Sequence, residues 1–211
     1  MSDGLGRFIT LEGGEAAGKS TQVGRLKNWL ESRGQPVVAT REPGGSPGGE
    51  AIRKLLVEGS AERWDGTTEA LLHFAARRVH LRATVWPALK NGAWVVSDRF
   101  ADSTRAYQGY GHGLDLAMLD RLYEAAVGAF RPDLTLVLDL PVETGLARAA
   151  ERQGVETRYE SLPRDFHERV RKGFLEIAKR DPKRCAVIDA TKDIDTIAAA
   201  IARVVTDRLG S

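Results

Sequence analysis

One segment of this 211-residue chain has residue types and spacing that are typical of phosphate binding. Residues 13–20 read Gly-Gly-Glu-Ala-Ala-Gly-Lys-Ser, which matches the pattern G-x-x-x-x-G-K-[ST]. Its glycines let the backbone curl so that N–H groups at a helix N-terminus face a phosphate. Lys19 can then reach the β- and γ-phosphates of a nucleoside triphosphate, and Ser20 can bind the accompanying magnesium. The motif predicts triphosphate binding and leaves the reaction open.

A second charged pair follows the apolar run of residues 94–97. If that run is the strand beside the phosphate loop, Asp98 can hold the magnesium shell through water. Arg99 would face the same crevice and could bind a second phosphate with both ends of its guanidinium group. A structural Asp–Arg pair at a strand end is the alternative reading.

Further segments offer groups that recognise a nucleotide. Residues 40–45 carry charge from a predicted strand into a Gly-rich loop, and residues 103–111 combine hydroxyls, an amide and aromatic rings. The second set can contact a base edge and a sugar face, or it can be a surface loop with a Gly-rich turn. Residues 71–78 place a ring and a guanidinium group four apart twice, as His73/Arg77 and Phe74/Arg78. Either pair could stack on a base and bind its carbonyl group.

A stretch with little apolar content interrupts the helical pattern at residues 151–160. Three arginines, Arg148, Arg152 and Arg158, lie in it or beside it. A segment that closes over phosphates would exclude water and stabilise the charge of a transferring group. We therefore predict a lid over about residues 152–160, with a solvated loop as the alternative.

The remaining chain alternates apolar runs of strand length with segments of helical period. The predicted strands are Phe8–Glu12, Val37–Thr40, Trp94–Ser97, Leu134–Leu138 and Cys185–Ile188. The predicted helices are 19–33, 50–58, 67–90, 114–130, 142–152, 165–181 and 194–209. This alternation predicts an α/β P-loop NTPase fold: a five-stranded parallel sheet with helices on both faces, in one kinase domain of residues 1–211. The polar residues would then meet beyond the carboxyl ends of the strands.

Composition excludes several classes of protein. Lys+Arg of 31 against Asp+Glu of 29 argues against strongly basic nucleic-acid binding. The single cysteine, Cys185, permits neither an internal disulfide nor a Cys-based zinc cluster, and its apolar run predicts a buried strand position. No apolar run is long enough for a membrane span, and the N-terminus has no signal-peptide pattern. We predict a cytoplasmic protein without a nucleic-acid or membrane partner. A GTPase would need an N-K-x-D segment to recognise guanine, and the chain has none. A kinase-like protein and a small P-loop ligase remain as interpretations.

Taken together, the sequence resembles the bacterial thymidylate kinases over nearly its whole length. The segments that carry the resemblance are Glu12–Thr21, Thr40–Gly45, Pro87–Leu89, Asp98–Gly113 and Arg131–Thr135. Asp-Arg-Phe followed by Asp-Ser-Thr and Ala-Tyr-Gln-Gly-Tyr-Gly is far more selective than the phosphate loop. The resemblance implies a transferase that uses ATP and Mg²⁺ to phosphorylate dTMP to dTDP for dTTP synthesis and DNA replication. It also implies a cytoplasmic homodimer.

The resemblance also implies roles for individual residues. The catalytic set is Lys19, Arg99, Arg158, Arg152 and Glu15. The ATP-binding set is Gly13, Gly14, Glu15, Ala16, Ala17, Gly18, Lys19, Ser20, Thr21 and Arg148. The dTMP-binding set is Glu15, Glu42, Arg53, Phe74, Arg77, Arg99, Thr104, Tyr107 and Gln108, and the magnesium set is Ser20, Asp98 and Glu42.

Within those sets the resemblance places Glu15 near the deoxyribose 3′-hydroxyl and Tyr107 where it disfavours a ribose 2′-hydroxyl. Thr104 and Gln108 match positions at the thymine edge. Arg99 and Arg53 match positions at the acceptor phosphate. The phosphate loop has no arginine while the lid has two, which resembles the bacterial subtype whose lid supplies the catalytic arginine.

The sequence departs from the family pattern at the base. Without gaps, His73 stands where the family has a thymine-stacking phenylalanine, and Arg77 stands at the thymine-binding arginine. A shift of one restores Phe74 and Arg78 but requires a deletion before residue 87. We favour Arg77, with Phe74 in the pocket wall. A uridine or cytidine monophosphate kinase, a deoxynucleoside kinase, and a P-loop ligase or nucleotide-binding regulator are the alternatives.

Overall fold

A computed structural model of the chain describes residues 6–151 and 158–210, apart from the side chain of residue 61. Within these residues five parallel strands form one sheet in the order β2-β3-β1-β4-β5. The strands are β1 (Phe8–Gly13), β2 (Val37–Arg41), β3 (Trp94–Asp98), β4 (Leu134–Asp139) and β5 (Cys185–Asp189). The predicted α/β fold is confirmed, and each strand runs one residue beyond the predicted end.

Helices connect the strands. The α-helices are α1 (Lys19–Glu31), α2 (Pro47–Val57), α3 (Gly66–His80), α4 (Trp86–Lys90), α5 (Ala101–Thr104), α6 (Leu116–Val127), α7 (Val142–Ala150), α8 (Arg164–Arg180) and α9 (Ile194–Leu209). A short 3₁₀ turn covers Ala61–Arg63, and π-helical segments cover Leu81–Val85 and Arg105–Gly111. Among the residues with described positions, no helix is long and apolar enough to span a membrane.

The central strand β1 carries the phosphate loop. Every residue of β1 is buried, and its neighbours are β3 and β4. The register pairs Leu11 of β1 with Asp98 of β3, so the end of β3 lies beside the start of the phosphate loop. Cys185 is a buried free thiol on β5, as predicted. This topology brings the polar ends of three adjacent strands to one edge.

The long helix predicted over 67–90 is wrong in its continuity. The helix starts at Gly66 because the Asp65 side chain accepts from the backbone N–H of Thr68 at 2.7 Å. It widens over Leu81–Val85 before α4. Pro87 has no backbone N–H for the carbonyl four residues earlier, and the wider turn accommodates that loss.

Residues 101–111 form a buried helical segment, whereas the sequence left open a surface loop. Gly111 permits this packing, because a Cβ there would lie 2.6 Å from the ring of Phe166. Thr104, Tyr107 and Gln108 recur with helical spacing, and all three are buried. The segment therefore directs one face of side chains inward from the end of β3.

Candidate active site

The phosphate loop has the backbone form that its glycines predict. Gly13 and Gly18 have φ of 138° and 86°, and Ala16 also has a positive φ of 49°. Nζ of Lys19 donates to the carbonyl of Gly13 at 3.2 Å and to that of Gly14 at 2.7 Å. Burial lowers the pKa of Lys19 to about 8, with Arg99 adding to the shift. The loop thus presents a buried amine at the first position of α1.

Ser20 and Asp98 place two side-chain oxygen atoms next to each other at the start of α1. The Ser20 hydroxyl donates to Oδ2 of Asp98 at 2.6 Å. In the part of the chain that the structure describes, no group of three or more His, Cys, Asp or Glu side chains could hold a metal. Magnesium that is bound with a nucleotide takes most of its ligands from phosphates and water, so two oxygen donors are chemically sufficient.

Arg99 lies between the phosphate loop and the helical segment 101–111. Its Nη1 donates to the Gly13 carbonyl at 3.0 Å and to the Ser103 hydroxyl at 3.1 Å. Its Nη2 donates to the Tyr107 hydroxyl at 3.1 Å and to Oε1 of Glu15 at 3.4 Å. Arg99 has a positive φ of 69°, a conformation that non-glycine residues rarely adopt. The surrounding contacts hold it there.

The carboxylate of Glu15 completes this cluster. The Tyr107 hydroxyl donates to Oε1 of Glu15 at 2.6 Å. Burial raises the pKa of Glu15, but Arg99, Lys19 and the Tyr107 hydroxyl together hold it below its usual value. Glu15 is therefore ionised at neutral pH, and the pair with Arg99 is largely withdrawn from water.

Glu12 supports the turn that carries Arg99. Its Oε1 accepts from the backbone N–H of Phe100 at 2.8 Å, and its Oε2 accepts from the Ser103 hydroxyl at 2.5 Å. Burial, followed by the charge of Asp102, raises the pKa of Glu12 to about 8. Because Ser103 also contacts Arg99, Glu12 helps to fix the guanidinium position.

A buried arginine lies behind the next part of the site. Nε of Arg77 donates to Oε2 of Glu42 at 2.8 Å, and Nδ1 of His80 donates to Oε1 of Glu42 at 2.9 Å. Nη2 of Arg77 donates to the Phe100 carbonyl at 3.0 Å and to the Thr104 hydroxyl at 3.2 Å. Its Nη1 is buried and has no hydrogen-bond partner among the described residues. Such a donor is costly to bury unless a ligand accepts from it.

The carboxylate of Glu69 is the centre of a second buried cluster of polar side chains. Its Oε2 accepts from Nε2 of Gln108 at 2.8 Å, and its Oε1 accepts from Nη2 of Arg158 at 2.5 Å. The Tyr159 hydroxyl lies 3.2 Å and Nε2 of His112 lies 3.4 Å from Oε2. Burial raises the pKa of Glu69, but the hydrogen bonds from His112, Gln108 and Arg158 lower it to about 2. With Nε2 held, Oε1 of Gln108 remains without a partner among the described side chains and backbone.

These clusters surround a cavity of about 140 Å³. Its lining residues are Glu15, Glu42, Pro43, Arg53, Val57, His73, Arg99, Ser103, Tyr107, Gln108, Arg158, Tyr159 and Glu160. A larger groove of about 640 Å³ lies elsewhere and includes no phosphate-loop residue. The smaller cavity joins Glu15 of the phosphate loop to Gln108, whose buried Oε1 has no described partner, so it is the candidate acceptor site.

A family model described as thymidylate kinase matches residues 11–201 of the chain. The chain belongs to the thymidylate kinase family. The family predicted from the sequence is thereby confirmed.

Individual thymidylate kinases agree over nearly the full length. The protein of Caulobacter vibrioides is 55% identical over 205 residues, which cover 97% of this chain and 98% of that protein. The protein of Jannaschia sp. is 49% identical over 202 residues, covering 96% of this chain and 97% of the relative. The crystal structure of thymidylate kinase from Ehrlichia chaffeensis superposes with a TM-score of 0.76 at 33% identity, covering 95% and 99% of the two chains.

Most residues that resemblance to the thymidylate kinases predicted for dTMP lie together. Six line the cavity: Glu15, Glu42, Arg53, Arg99, Tyr107 and Gln108. Arg53 donates to the Pro43 carbonyl at 2.8 Å, so its head lies at the loop that follows β2. Arg77 and Thr104 are buried behind the lining. The predicted ATP set other than Arg148 is contiguous with the phosphate loop, and Arg148 lies half-buried in the last turn of α7.

The structure places the two predicted ring–arginine pairs differently. Arg77 points inward, whereas Arg78 is exposed and donates to the Ala126 carbonyl. His73 lines the cavity, with Nε2 at 3.2 Å from the Tyr159 hydroxyl. Phe74 does not line it: its ring packs in the core and contacts the Arg77 guanidinium from behind, at 4.9 Å. We expected Phe74 in the wall of the pocket, but it lies in the core. Residues 73 and 74 point about 100° apart because they are consecutive in a helix.

Two other residues expected at the site have partners within the protein. Glu42, expected near magnesium, has both oxygens occupied by Arg77 and His80, and it is 4% exposed. Arg158, expected at the transferring phosphate, donates to Glu69 and to the backbone carbonyls of residues 56 and 60. A buried carboxylate attracts the nearest guanidinium, which cannot serve the phosphate from the same position. The other lid candidate, Arg152, lies outside the described residues.

Sequence reasoning missed Glu69 and His80. An acidic residue in the first turn of a helix favours the helix dipole, so Glu69 gave no sign of a role in a pocket. Its spacing of four from His73 was the available signal. Nothing in the sequence distinguished His80 from a surface helix residue.

Proposed function

We propose that the protein transfers the γ-phosphoryl group of magnesium-bound ATP to dTMP, giving dTDP and ADP. Membership in the thymidylate kinase family supports dTMP as the acceptor. The position of Arg99 carries the proposal: this one guanidinium contacts the phosphate-loop carbonyl of Gly13 and also lines the adjoining cavity. A donor phosphate and an acceptor phosphate would meet at that point.

The donor site consists of the curled loop and Lys19. Because burial lowers the pKa of Lys19 to about 8, a triphosphate would hold the amine in its charged form. When bound, Mg²⁺ would neutralise phosphate oxygens, held by Ser20 directly and by Asp98 through water. Glu42 is not retained as a ligand, since Arg77 and His80 hold its two oxygens. The remaining loop residues would bind phosphate through their backbone N–H groups.

The transfer needs positioning and charge more than proton chemistry. A phosphate oxygen of dTMP is already a competent nucleophile at neutral pH. It attacks the γ-phosphorus in line, and the bond from that phosphorus to the β–γ bridging oxygen breaks, so ADP leaves with the electron pair. Arg99 and Arg53 would hold the acceptor phosphate, and Lys19 would offset charge on the transferring group. The lid over about residues 152–160 would supply a further arginine, with Arg152 the first candidate.

The polar groups at the base end match a thymine ring. Thymine presents a carbonyl acceptor at O4 and an N–H donor at N3. Nη1 of Arg77 is a buried donor, and Oε1 of Gln108 is a buried acceptor, each without a described partner. Cytosine reverses both groups, so it would leave two buried polar atoms unpaired. Glu69 holds the amide of Gln108 in the orientation that thymine requires.

The sugar end would be read by Glu15 and Tyr107. The Glu15 carboxylate can accept from the 3′-hydroxyl. The Tyr107 ring is edge-on to Tyr159 and its hydroxyl is held by Glu15, so its position is fixed. A fixed ring next to the sugar disfavours a 2′-hydroxyl.

ADP release from Mg-ATP tests the proposal with purified protein and separate acceptors: dTMP, dUMP, UMP, dCMP, CMP and thymidine. We expect strong release with dTMP and little with UMP, dCMP or CMP. Lys19→Met should abolish the signal while the protein remains folded by circular dichroism. Release with thymidine alone would indicate a deoxynucleoside kinase. The absence of release with every acceptor would overturn the kinase assignment in favour of a ligase or regulator.

We also infer that the single kinase domain acts as a cytoplasmic homodimer. The residues Leu71, Ala75 and Val79 are exposed at spacings of four along α3, which forms an apolar stripe. A second copy would cover this stripe. Leu71→Lys should shift the mass measured by light scattering from dimer to monomer, whereas Val187→Lys, at a similarly exposed valine on β5, should not. An unchanged mass for both variants would refute the dimer face.

The buried, unpaired Cys185 fits a reducing compartment.

A further inference from the structure

His167 lies in the first turns of α8 with one ring nitrogen unaccounted for. The residue is 5% exposed, and its ring packs edge-on against Phe166. The backbone of Leu162 favours the protonated form of the ring and so opposes the effect of burial on its pKa. Nε2 is buried and has no hydrogen-bond partner among the residues that the structure describes.

His167 lines a small cavity behind the phosphate loop. The cavity has a volume of about 20 Å³, which is enough for one water molecule. Its lining residues are Gly14, Glu15, Leu140, Pro141, Val142, Gly145, Leu146, His167, Val170 and Arg171. Helix α7 packs tightly there, since a Cβ on Gly145 would lie 2.7 Å from the Glu15 carbonyl oxygen. The cavity therefore lies between His167 and the phosphate-loop residues Gly14 and Glu15.

The chemistry of the imidazole ring defines what this cavity accepts. Burial lowers the pKa of His167, so the ring is neutral, and Nε2 carries a lone pair in the tautomer whose proton is on Nδ1. A buried lone pair requires an O–H or N–H donor. One water molecule can donate to Nε2 and bond to the peptide groups of Gly14 and Glu15.

We propose that His167 is a positioning residue for the phosphate loop, and that its Nε2 fixes the peptides of Gly14 and Glu15 through one buried water molecule. This inference rests on the proposed function, because the loop is the proposed ATP site. The residue touches no substrate itself. Its effect is exerted through the backbone that presents N–H groups to phosphate.

The same ring lies next to the turn that contributes to the wall of the acceptor cavity. Leu162, whose backbone influences the pKa of the ring, follows a turn in which its own N–H donates to the Tyr159 carbonyl at 3.2 Å. Within that turn, the Ser161 hydroxyl donates to the Arg158 carbonyl at 2.9 Å. Arg158 and Tyr159 line the acceptor cavity, as does Glu15. One imidazole therefore links a wall of the acceptor site to the donor loop.

Three substitutions separate the two nitrogens. His167→Phe keeps the ring and removes both nitrogens, His167→Asn keeps a donor near Nδ1 only, and His167→Gln places a polar atom near Nε2. Loss of one positioning hydrogen bond should weaken ATP binding about 5- to 10-fold. We expect this loss in His167→Phe and His167→Asn, both in the calorimetric Kd and in the KM for ATP. In His167→Gln we expect both constants to recover to within about 2-fold of the wild-type values. Lys172→Gln, exposed on the same helix, is the matched control.

A spectroscopic measurement tests the proposal without activity. The ¹⁵N shifts of His167 in the free protein should show Nδ1 protonated and Nε2 unprotonated with a hydrogen-bond shift, and a crystal structure should show one ordered water at Nε2. An Nε2–H tautomer, a cavity without a water molecule, or ATP affinity within 2-fold of wild type in both His167→Phe and His167→Asn would overturn the proposal. These failures differ from failure of the proposed function, which would remove dTMP-dependent ADP release from the wild-type protein.

Discussion

Replacing Gln108 by methionine tests how the base is recognised. Methionine keeps the side-chain length and removes both the amide donor and the buried acceptor Oε1. Glu69 keeps its contacts with Arg158, Tyr159 and His112, so the buried cluster around Glu69 is retained in the variant. The N3–H of thymine would lose its partner inside a closed cavity, which costs about 1–3 kcal/mol. This corresponds to a loss of about 5- to 150-fold in kcat/KM for dTMP.

The assay is steady-state ADP release with dTMP and dCMP as separate acceptors. We expect kcat/KM to fall for dTMP and not for dCMP, so discrimination between the two bases narrows. Gln22→Met is the matched control, since Gln22 is also buried, donates through Nε2 to the Ile194 carbonyl at 3.0 Å and has an unpartnered Oε1 among the described atoms. If Gln108→Met keeps dTMP kcat/KM within 2-fold of wild type, with a Tm shift equal to that of Gln22→Met, Oε1 does not contact the base.

Three further predictions concern charge. Because the pKa of Lys19 is about 8 in the free protein and a phosphate raises it, the calorimetric Kd for ATP should weaken by up to about tenfold per pH unit above 8. Arg158→Ala should lower the free energy of unfolding in urea by about 3–5 kcal/mol, because Glu69 loses its buried cation. Tyr107→Phe removes the hydroxyl that Glu15 holds, and it should raise kcat/KM for UMP relative to dTMP by a few-fold, about 1 kcal/mol.

Each of these has an outcome that contradicts it. A Kd for ATP that stays flat from pH 7 to 9.5 would mean that Lys19 is already fully charged in the free protein. Wild-type stability in Arg158→Ala, together with a large drop in kcat, would return Arg158 to the transferring phosphate as the sequence first indicated. Unchanged relative use of UMP in Tyr107→Phe would remove the hydroxyl from sugar selection.

The sequence by itself determined the parts of this protein that depend on neighbours along the chain. The phosphate loop could be identified because glycines at fixed spacing permit positive φ at Gly13 and Gly18, and Lys19 starts the helix that follows. The five strands could be placed to within one residue at their ends, since buried apolar runs end where charge or glycine begins. The end of β3 could be assigned to the site for the same reason, with Asp98 and Arg99 next to the loop.

Only the tertiary structure decided which side chains meet. His73 faces the cavity and Phe74 the core because the rotation of α3 is set by packing on α2 and α6, which no local pattern encodes. Glu69 gathers Gln108 and Arg158 from segments 39 and 89 residues away. A buried charge is stable only with a partner of opposite charge. Arg158 is therefore paired with Glu69, and Glu42 is paired with Arg77. Contacts across such separations depend on the closed fold, because only there is water replaced by a specific neighbour.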